Sequence, residues 1–285
     1  MNIVFFGSSL YSTIVAKKLF ETGNLSLIVT IPDKKVGRKQ ILTPSPVKEF
    51  ANTNNIPVLT TEVLNDKTIE HIAHVHPDFL VVADYGLLLP ESLLKLPKYA
   101  SLNVHHSLLP KYRGPSPAPA AILAGEKYSG VTIIEMAKDL DAGDIVAQQM
   151  YELAKDETTQ SLLTKLNTLG AEILLPVLEQ YVKGRVIKNK QDETKAMFTK
   201  RYTKEDSYID STNPPSTEEI DRMIRAFYPW PVAWTTMKVD GKDLRLKLLP
   251  EQKLQPEGKK SMCLKDFLNG YPETQTIIKK ILPYN

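Results

Sequence analysis

The chain has 285 residues, 42% of them apolar and 24% charged, with 36 Lys or Arg against 33 Asp or Glu. That composition excludes a disordered or fibrous chain and fits a globular protein of one large domain or a main domain plus a smaller one. A net charge of +3 is too small to identify a polyanionic partner, and a lone cysteine, Cys263, leaves no intramolecular disulfide and no cysteine-based metal cluster.

Residues 2–6 (NIVFF) form a short apolar run ended by Gly7. Leu10, Ile14, Val15, Leu19 and Phe20 follow at helical spacing and close at Gly23, before a second apolar run at 26–31. Strand, helix and strand within thirty residues indicate a βαβ unit on a parallel sheet. The start lacks a basic n-region and a cleavage signal, and no run of eighteen apolar residues occurs. A cytoplasmic location without a membrane partner is therefore expected. Gly7-Ser8-Ser9-Leu10 lacks the further glycines of a dinucleotide fingerprint, so no such cofactor is expected.

Further strands are predicted at 81–84, 101–105 and 131–136. Leu162, Leu166, Leu169, Ile173 and Val177 predict a long amphipathic helix over 160–183, ending at Gly184. Residues 185–215 are polar and without clear periodicity. The expected division is a catalytic domain over 1–184, a linker over 185–205 and a C-terminal domain over 206–285. In the last, Ser216 and Glu219 form a capping box for a helix over 217–227. VAWTTMKV, Asp240-Gly241 and DLRLKLL then make the strongest hairpin signal in the chain, and a short helix is predicted near 261–269.

The chemistry concentrates in 101–145. Asn103 and His105 lie two apart on a predicted strand and share a face. Leu108-Leu109-Pro110 breaks that strand into a loop carrying Lys111 and Arg113, and Asp141 follows the next strand in Leu140-Asp141-Ala142-Gly143-Asp144. In an open parallel sheet ligands sit at the carboxyl ends of strands, where these groups lie. An amide to hold an oxyanion, an imidazole to take a proton and a carboxylate to orient it suit acyl transfer. No nucleophile elbow is present, which favours direct transfer between two substrates. On spacing alone, a strand-end Asn and His are more often structural caps. His106 faces away from His105 on a strand, so the two cannot readily share an ion, and no metal is expected.

NVHHSLLPKYRG followed by LDAGD resembles the signature of the 10-formyltetrahydrofolate-dependent formyltransferases, and the likeness extends from the first strand to LQPEGKKSMCLKDFLNG. The resemblance implies a Rossmann-like α/β N-terminal domain with a parallel sheet and a small OB-like C-terminal domain, here shortened. It implies Asn103, His105 and Asp141 as the catalytic trio. For 10-formyltetrahydrofolate as co-substrate it implies Ala83, Asp84, Tyr85, Gly86 and Leu87 at one turn, Ser107, Leu108, Leu109 and Pro110 at the SLLP loop, and Asp139 and Leu140 before the trio's carboxylate. IPDKKVGRKQILTPSPVKEFA (31–51) resembles the basic loop of the family's members that act on methionyl-tRNA, with Lys34, Lys35, Arg38 and Lys39 around Gly37. RAFYPWPVAW (225–234) is similar to a segment of the same members. From 242 to 265 there are seven Lys or Arg against three acids. By this likeness Arg113, Lys242, Arg245, Lys247, Lys259 and Lys260 join the loop in binding methionyl-initiator tRNA. A monomer is expected. A formyltransferase for another amine, such as a nucleotide-linked amino sugar, and a non-catalytic scaffold for tRNA or folate are the alternatives. The chain departs from the family pattern where Ala is usual at Asp84, Gly at His106 and Asp139, and a second Gly at Lys39.

Overall fold

The computed structural model describes residues 1–37 and 39–282. In chain order the elements are β1 (Ile3–Phe6), α1 (Ser12–Glu21), β2 (Leu25–Thr30), β3 (Lys34–Val36), β4 (Ile41–Thr43), α2 (Pro46–Thr53), β5 (Val58–Thr60), α3 (Asp66–Ala73), β6 (Phe79–Val82), α4 (Glu91–Leu94) and β7 (Ala100–His105). They continue as α5 (Pro117–Leu123), β8 (Tyr128–Glu135), β9 (Ile145–Glu152), α6 (Thr159–Val182), α7 (Thr217–Ala226), β10 (Trp234–Val239), β11 (Lys242–Leu249), β12 (Lys253–Pro256), β13 (Met262–Cys263), α8 (Leu264–Gly270) and α9 (Gln275–Ile281). The chain divides into one compact unit of Met1–Gly114, Ser129–Tyr151 and Leu163–Phe198, and a second of Pro115–Tyr128, Glu152–Leu162 and Thr199–Asn285.

The first unit is built on a seven-stranded sheet of order β5-β2-β1-β6-β7-β8-β9. β5, β2, β1, β6 and β7 run parallel, and β8 is antiparallel to β7. Ile3 to Phe6 and Phe79 to Leu80 and Val81 are wholly enclosed, as expected for strands covered on both faces. Alternate residues feed opposite layers. Ile3, Phe5, Phe79 and Val81 pack with Val15 and Leu19 of α1, Val47 of α2 and Leu174, Val177 and Leu178 of α6. Val4, Phe6, Leu80 and Val82 pack with Ile72 of α3 and Leu93 of α4. Because β1 has β2 on one side and β6 on the other, strand order reverses there. The carboxyl ends of β1, β6 and β7 lie side by side at that switch point, where such sheets bind ligands.

Helix α6 is long and apolar enough to cross a membrane by length and composition alone, contrary to the expectation from apolar runs. Its Ala171, Leu174, Val177, Leu178 and Tyr181 are built into the sheet's core. The polar stretch after it is not a free linker over its first part. Asn189 bridges Ile145 with two backbone hydrogen bonds of 2.8 and 2.9 Å, and Phe198 bridges Arg113.

In the second unit the capping box forms as the sequence demands: Ser216 Oγ accepts from Glu219 N, and the Glu219 carboxylate accepts from Ser216 N. Ser216→Ala is expected to cost about 1 kcal/mol of stability in urea unfolding; an unchanged midpoint would show the cap to be idle. The Asp240-Gly241 turn has φ of +49° and +74°, the left-handed pair that a tight hairpin requires, and joins β10 to β11. β10, β11, β12 and β13 form an open antiparallel meander, and among the described residues no fifth strand joins it to close a barrel. Ile220, Ile224, Met237, Leu246, Leu248, Leu254 and Phe267 fill its core.

Candidate active site

Asn103 and His105 project from the same face of β7, while Val104 between them enters the core. Asp141 comes to them from the loop after β8. Its φ of +52° bends the chain back, and Gln191 Nε2 holds the bend by donating to the carbonyls of Asp141 and Gly143, each at 2.7 Å. The three side chains meet. Asn103 Nδ2 donates to Asp141 Oδ1 at 3.3 Å, and His105 Nδ1 lies 3.6 Å from Asp141 Oδ2. Gly114 N donates to the same Oδ2 at 2.7 Å.

His105 Nε2 is 3.0 Å from the carbonyl of Tyr112, which can only accept. The ring proton therefore sits on Nε2, and in the neutral ring Nδ1 carries the lone pair on the Asp141 side. Burial pushes the His105 pKa below its ordinary value; the Asp141 carboxylate and the Tyr112 carbonyl oppose that shift without reversing it. The acid limb of the rate profile is thus expected below about pH 6.5, the ordinary histidine value. A linked effect falls on stability. Since the folded value is the lower one, the unfolded chain takes up the proton first as pH falls. The contribution of neutral His105 is full above about 6.5 and is lost below it. Urea midpoints measured from pH 7 to 5 should fall less steeply for His105→Gln than for the parent chain; identical slopes would contradict the lowered value.

The SLLP loop is pinned beneath the trio. Thr132 Oγ1 donates to Ser107 O at 2.6 Å and accepts from Leu109 N at 3.2 Å, and Gln148 Nε2 donates to Leu109 O at 3.0 Å. Ser107 Oγ donates to Lys111 O at 2.6 Å, while Leu108 and Pro110 stay half-buried. The other expected folate segments flank this edge. Ala83 N donates to Phe6 O at 2.9 Å at the end of β1, and Gly86 and Leu87 complete the turn. Tyr85 packs edge-on against Phe6; its enclosed hydroxyl has no hydrogen-bond partner, and burial pushes its pKa up to about 12. Asp139 and Leu140 are exposed on the loop that leads to Asp141. A cavity of about 340 Å³ opens beside this loop, lined by Glu91, Lys95, Tyr99, Ser101, Glu135 and Lys138 among others, and none of the trio lines it.

The basic residues divide. Lys34 and Lys35 lie on an antiparallel hairpin of β3 and β4, not on the unstructured loop expected, and they and Lys39 are exposed; Arg38 lies outside the described residues. Arg113 needs correction. Its side chain is 2% exposed and its guanidinium grips Glu193 through NH1 and NH2 at 2.8 and 2.7 Å and Gln191 at 2.9 Å, so it holds the fold together and is not presented to phosphates. In the second unit Lys242, Lys259 and Lys260 are exposed and Lys247 half-buried; Arg245 lies 3.9 Å above the Trp234 ring. Gln191 was not anticipated, and nothing in the polar stretch around it marks it. Among the described residues no group of His, Cys, Asp or Glu is arranged to hold a metal.

Residues 1–178 match the model of the formyl transferase family, and 201–252 match that of the formyl transferase C-terminal domain. The chain is 38% identical to a methionyl-tRNA formyltransferase of Halalkalibacterium halodurans, over 95% of each chain. In fold it is similar to the methionyl-tRNA formyltransferase from Clostridium thermocellum, with a TM-score of 0.63 and 18% identity over 92% of this chain and 98% of that one. It is also similar to HypX from Aquifex aeolicus in complex with tetrahydrofolic acid, with a TM-score of 0.62 and 17% identity over 99% of this chain and 48% of that one. With both halves matched and the trio assembled, the chain belongs to the formyl transferase family.

Proposed function

We propose that this chain transfers the formyl group of 10-formyltetrahydrofolate to the α-amino group of methionyl-initiator tRNA. The observation that carries the reading is the convergence of Asn103 and His105 on Asp141, at 3.3 and 3.6 Å from its carboxylate oxygens, in a chain similar over 95% of its length to a methionyl-tRNA formyltransferase. The donor set fits a formyl carbon attacked by an amine: one neutral amide donor, one lone pair and one carboxylate.

The amine must be neutral to attack, and free α-amino groups titrate near 7.7. As the new C–N bond forms, negative charge gathers on the formyl oxygen, and Asn103 Nδ2 is the donor placed to hold it. The amine loses a proton to His105 Nδ1, and the Asp141 carboxylate beside that nitrogen stabilises the imidazolium. The C–N bond to the folate then breaks and tetrahydrofolate leaves with a proton returned from His105. The folate reading rests on Ala83–Leu87, the SLLP loop and Asp139–Leu140 bordering the trio. The tRNA reading rests on the exposed Lys34, Lys35 and Lys39 and on the exposed Lys242, Lys259 and Lys260 of the second unit.

The test offers folate carrying a labelled formyl group to methionyl-initiator tRNA, to methionyl-elongator tRNA and to a nucleotide-linked amino sugar. Label on the initiator species, in preference to both others, is the expected result. Label on the sugar alone, or on none, would overturn the reading.

A further inference from the structure

A second carboxylate–imidazole couple lies next to the trio and plays no part in the chemistry above. His106 follows His105 at the end of β7 and is 4% exposed; its Nδ1 is 3.3 Å from Asp84 Oδ1. Asp84 stands in the turn after β6, and the same carboxylate accepts from Ser9 Oγ at 2.8 Å through Oδ2. The Asp84 carbonyl accepts from Ser8 Oγ at 2.9 Å. Ser8 and Ser9 belong to the turn after β1. One aspartate therefore laces the carboxyl ends of β1, β6 and β7, three strands adjacent in the sheet.

The backbone at Asp84 has φ of +48°, a conformation that a side chain other than glycine adopts at some cost unless its surroundings hold it there. The bonds from Ser8, Ser9 and His106 are that hold. His106 Nε2 is enclosed and has no hydrogen-bond partner, a desolvation cost that argues against a residue kept for stability alone.

We propose that His106 is a positioning residue for the formyl donor: through Asp84 it fixes the 83–87 turn at the height of Asn103 and His105. The proposal rests on the folate reading of that turn. His106 touches no reacting atom in this account. Its loss should loosen the turn and weaken donor binding while leaving the trio, anchored by Gln191, Gly114 and Tyr112, in place.

The experiment measures kcat and KM for 10-formyltetrahydrofolate in the full-length parent chain, in His106→Ala and in His106→Asn, whose amide reproduces the Nδ1 donor. The expected result is a KM raised about tenfold in His106→Ala with kcat within about threefold, and KM restored to within about threefold of the parent in His106→Asn. Asp84→Ala and the double variant Asp84→Ala/His106→Ala complete a cycle. The double variant should be no worse in KM than either single one, since each residue acts through the other. An unchanged KM in His106→Ala, no rescue in His106→Asn, or additive losses in the cycle would overturn the proposal. If His106→Ala does not fold, His106→Asn against Asp84→Ala still decides it: parental KM in both overturns it. A parent chain that transfers no formyl group would sink the folate reading itself, a result distinct from an active parent with an indifferent His106.

Discussion

Asn103→Ala is expected to lower kcat by about 10²–10³ while the protein keeps its fold and its affinity for both substrates. The amide is half-buried on β7, and it donates to Asp141 at 3.3 Å. A bond of that length yields readily to a stronger acceptor, which an oxygen gaining full negative charge becomes. Because this interaction strengthens only as the tetrahedral centre forms, its loss should appear in kcat and leave KM nearly unaltered. His105→Ala and Asp141→Ala should each fall by two orders or more, and the three together should fall little further than the worst single variant, since they act on one event. Near-parental turnover in all three would leave the site without a chemical role. Circular dichroism and folate binding on the same samples separate lost chemistry from lost structure.

Gly143→Ala should damage the same site from outside it. A Cβ at this position would lie 1.8 Å from the carbonyl oxygen of Glu135 and 2.9 Å from its carbon, both backbone atoms at the end of β8. No side-chain adjustment relieves such a clash, so the loop must move off the strand. It would carry with it the Gly143 carbonyl that Gln191 binds and the hydrogen bond of 2.9 Å from Glu135 N to Asp144 O. The overpacking is expected to cost about 1–3 kcal/mol. Asp141 lies two residues away, and a misplacement of about 1 Å at a catalytic group can cost about 10² in rate. Gly270→Ala is the matched control: a Cβ there meets nothing within 4 Å, and stability should be unchanged. Thermal unfolding and kcat for the two variants check both statements. Equal behaviour would mean that the loop accommodates a methyl group that the geometry excludes.

The parallel sheet could be read from the chain because β1, β2 and β6 are apolar runs between glycine-marked turns, and only burial on both faces makes such runs useful. The hairpin of β3 and β4 escaped notice because three residues on each side are too few for a period of two, and Lys34 and Lys35 suggested a solvated loop. β9 was missed for a related reason: Gln148, Gln149 and Glu152 interrupt the apolar pattern on a strand at the sheet's edge. The trio was legible through strand spacing and family likeness together. What positions it was not. Gln191 is fifty residues from the carbonyl of Asp141 that it binds, and no local rule relates the two. Arg113 was misread because charge in a loop resembles charge on a surface until burial is known. Asp84 and His106, which stood out separately as unusual, are partners in one contact.

Tyr112 holds the carbonyl that keeps the His105 ring proton on Nε2, and it does so with a bulky side chain at φ of +62°. Glycine would adopt that backbone at ease, relieving about 1–3 kcal/mol of local conformational energy. The tyrosine ring, however, is enclosed in the core, and removing a buried aromatic costs about 3–5 kcal/mol, so the enclosed ring outweighs the strained peptide and Tyr112→Gly should lower thermal stability on balance. The carbonyl belongs to the main chain, so a substitution that leaves the backbone path intact also leaves the imidazole's proton where it is: side chain and peptide at this one position serve separate ends.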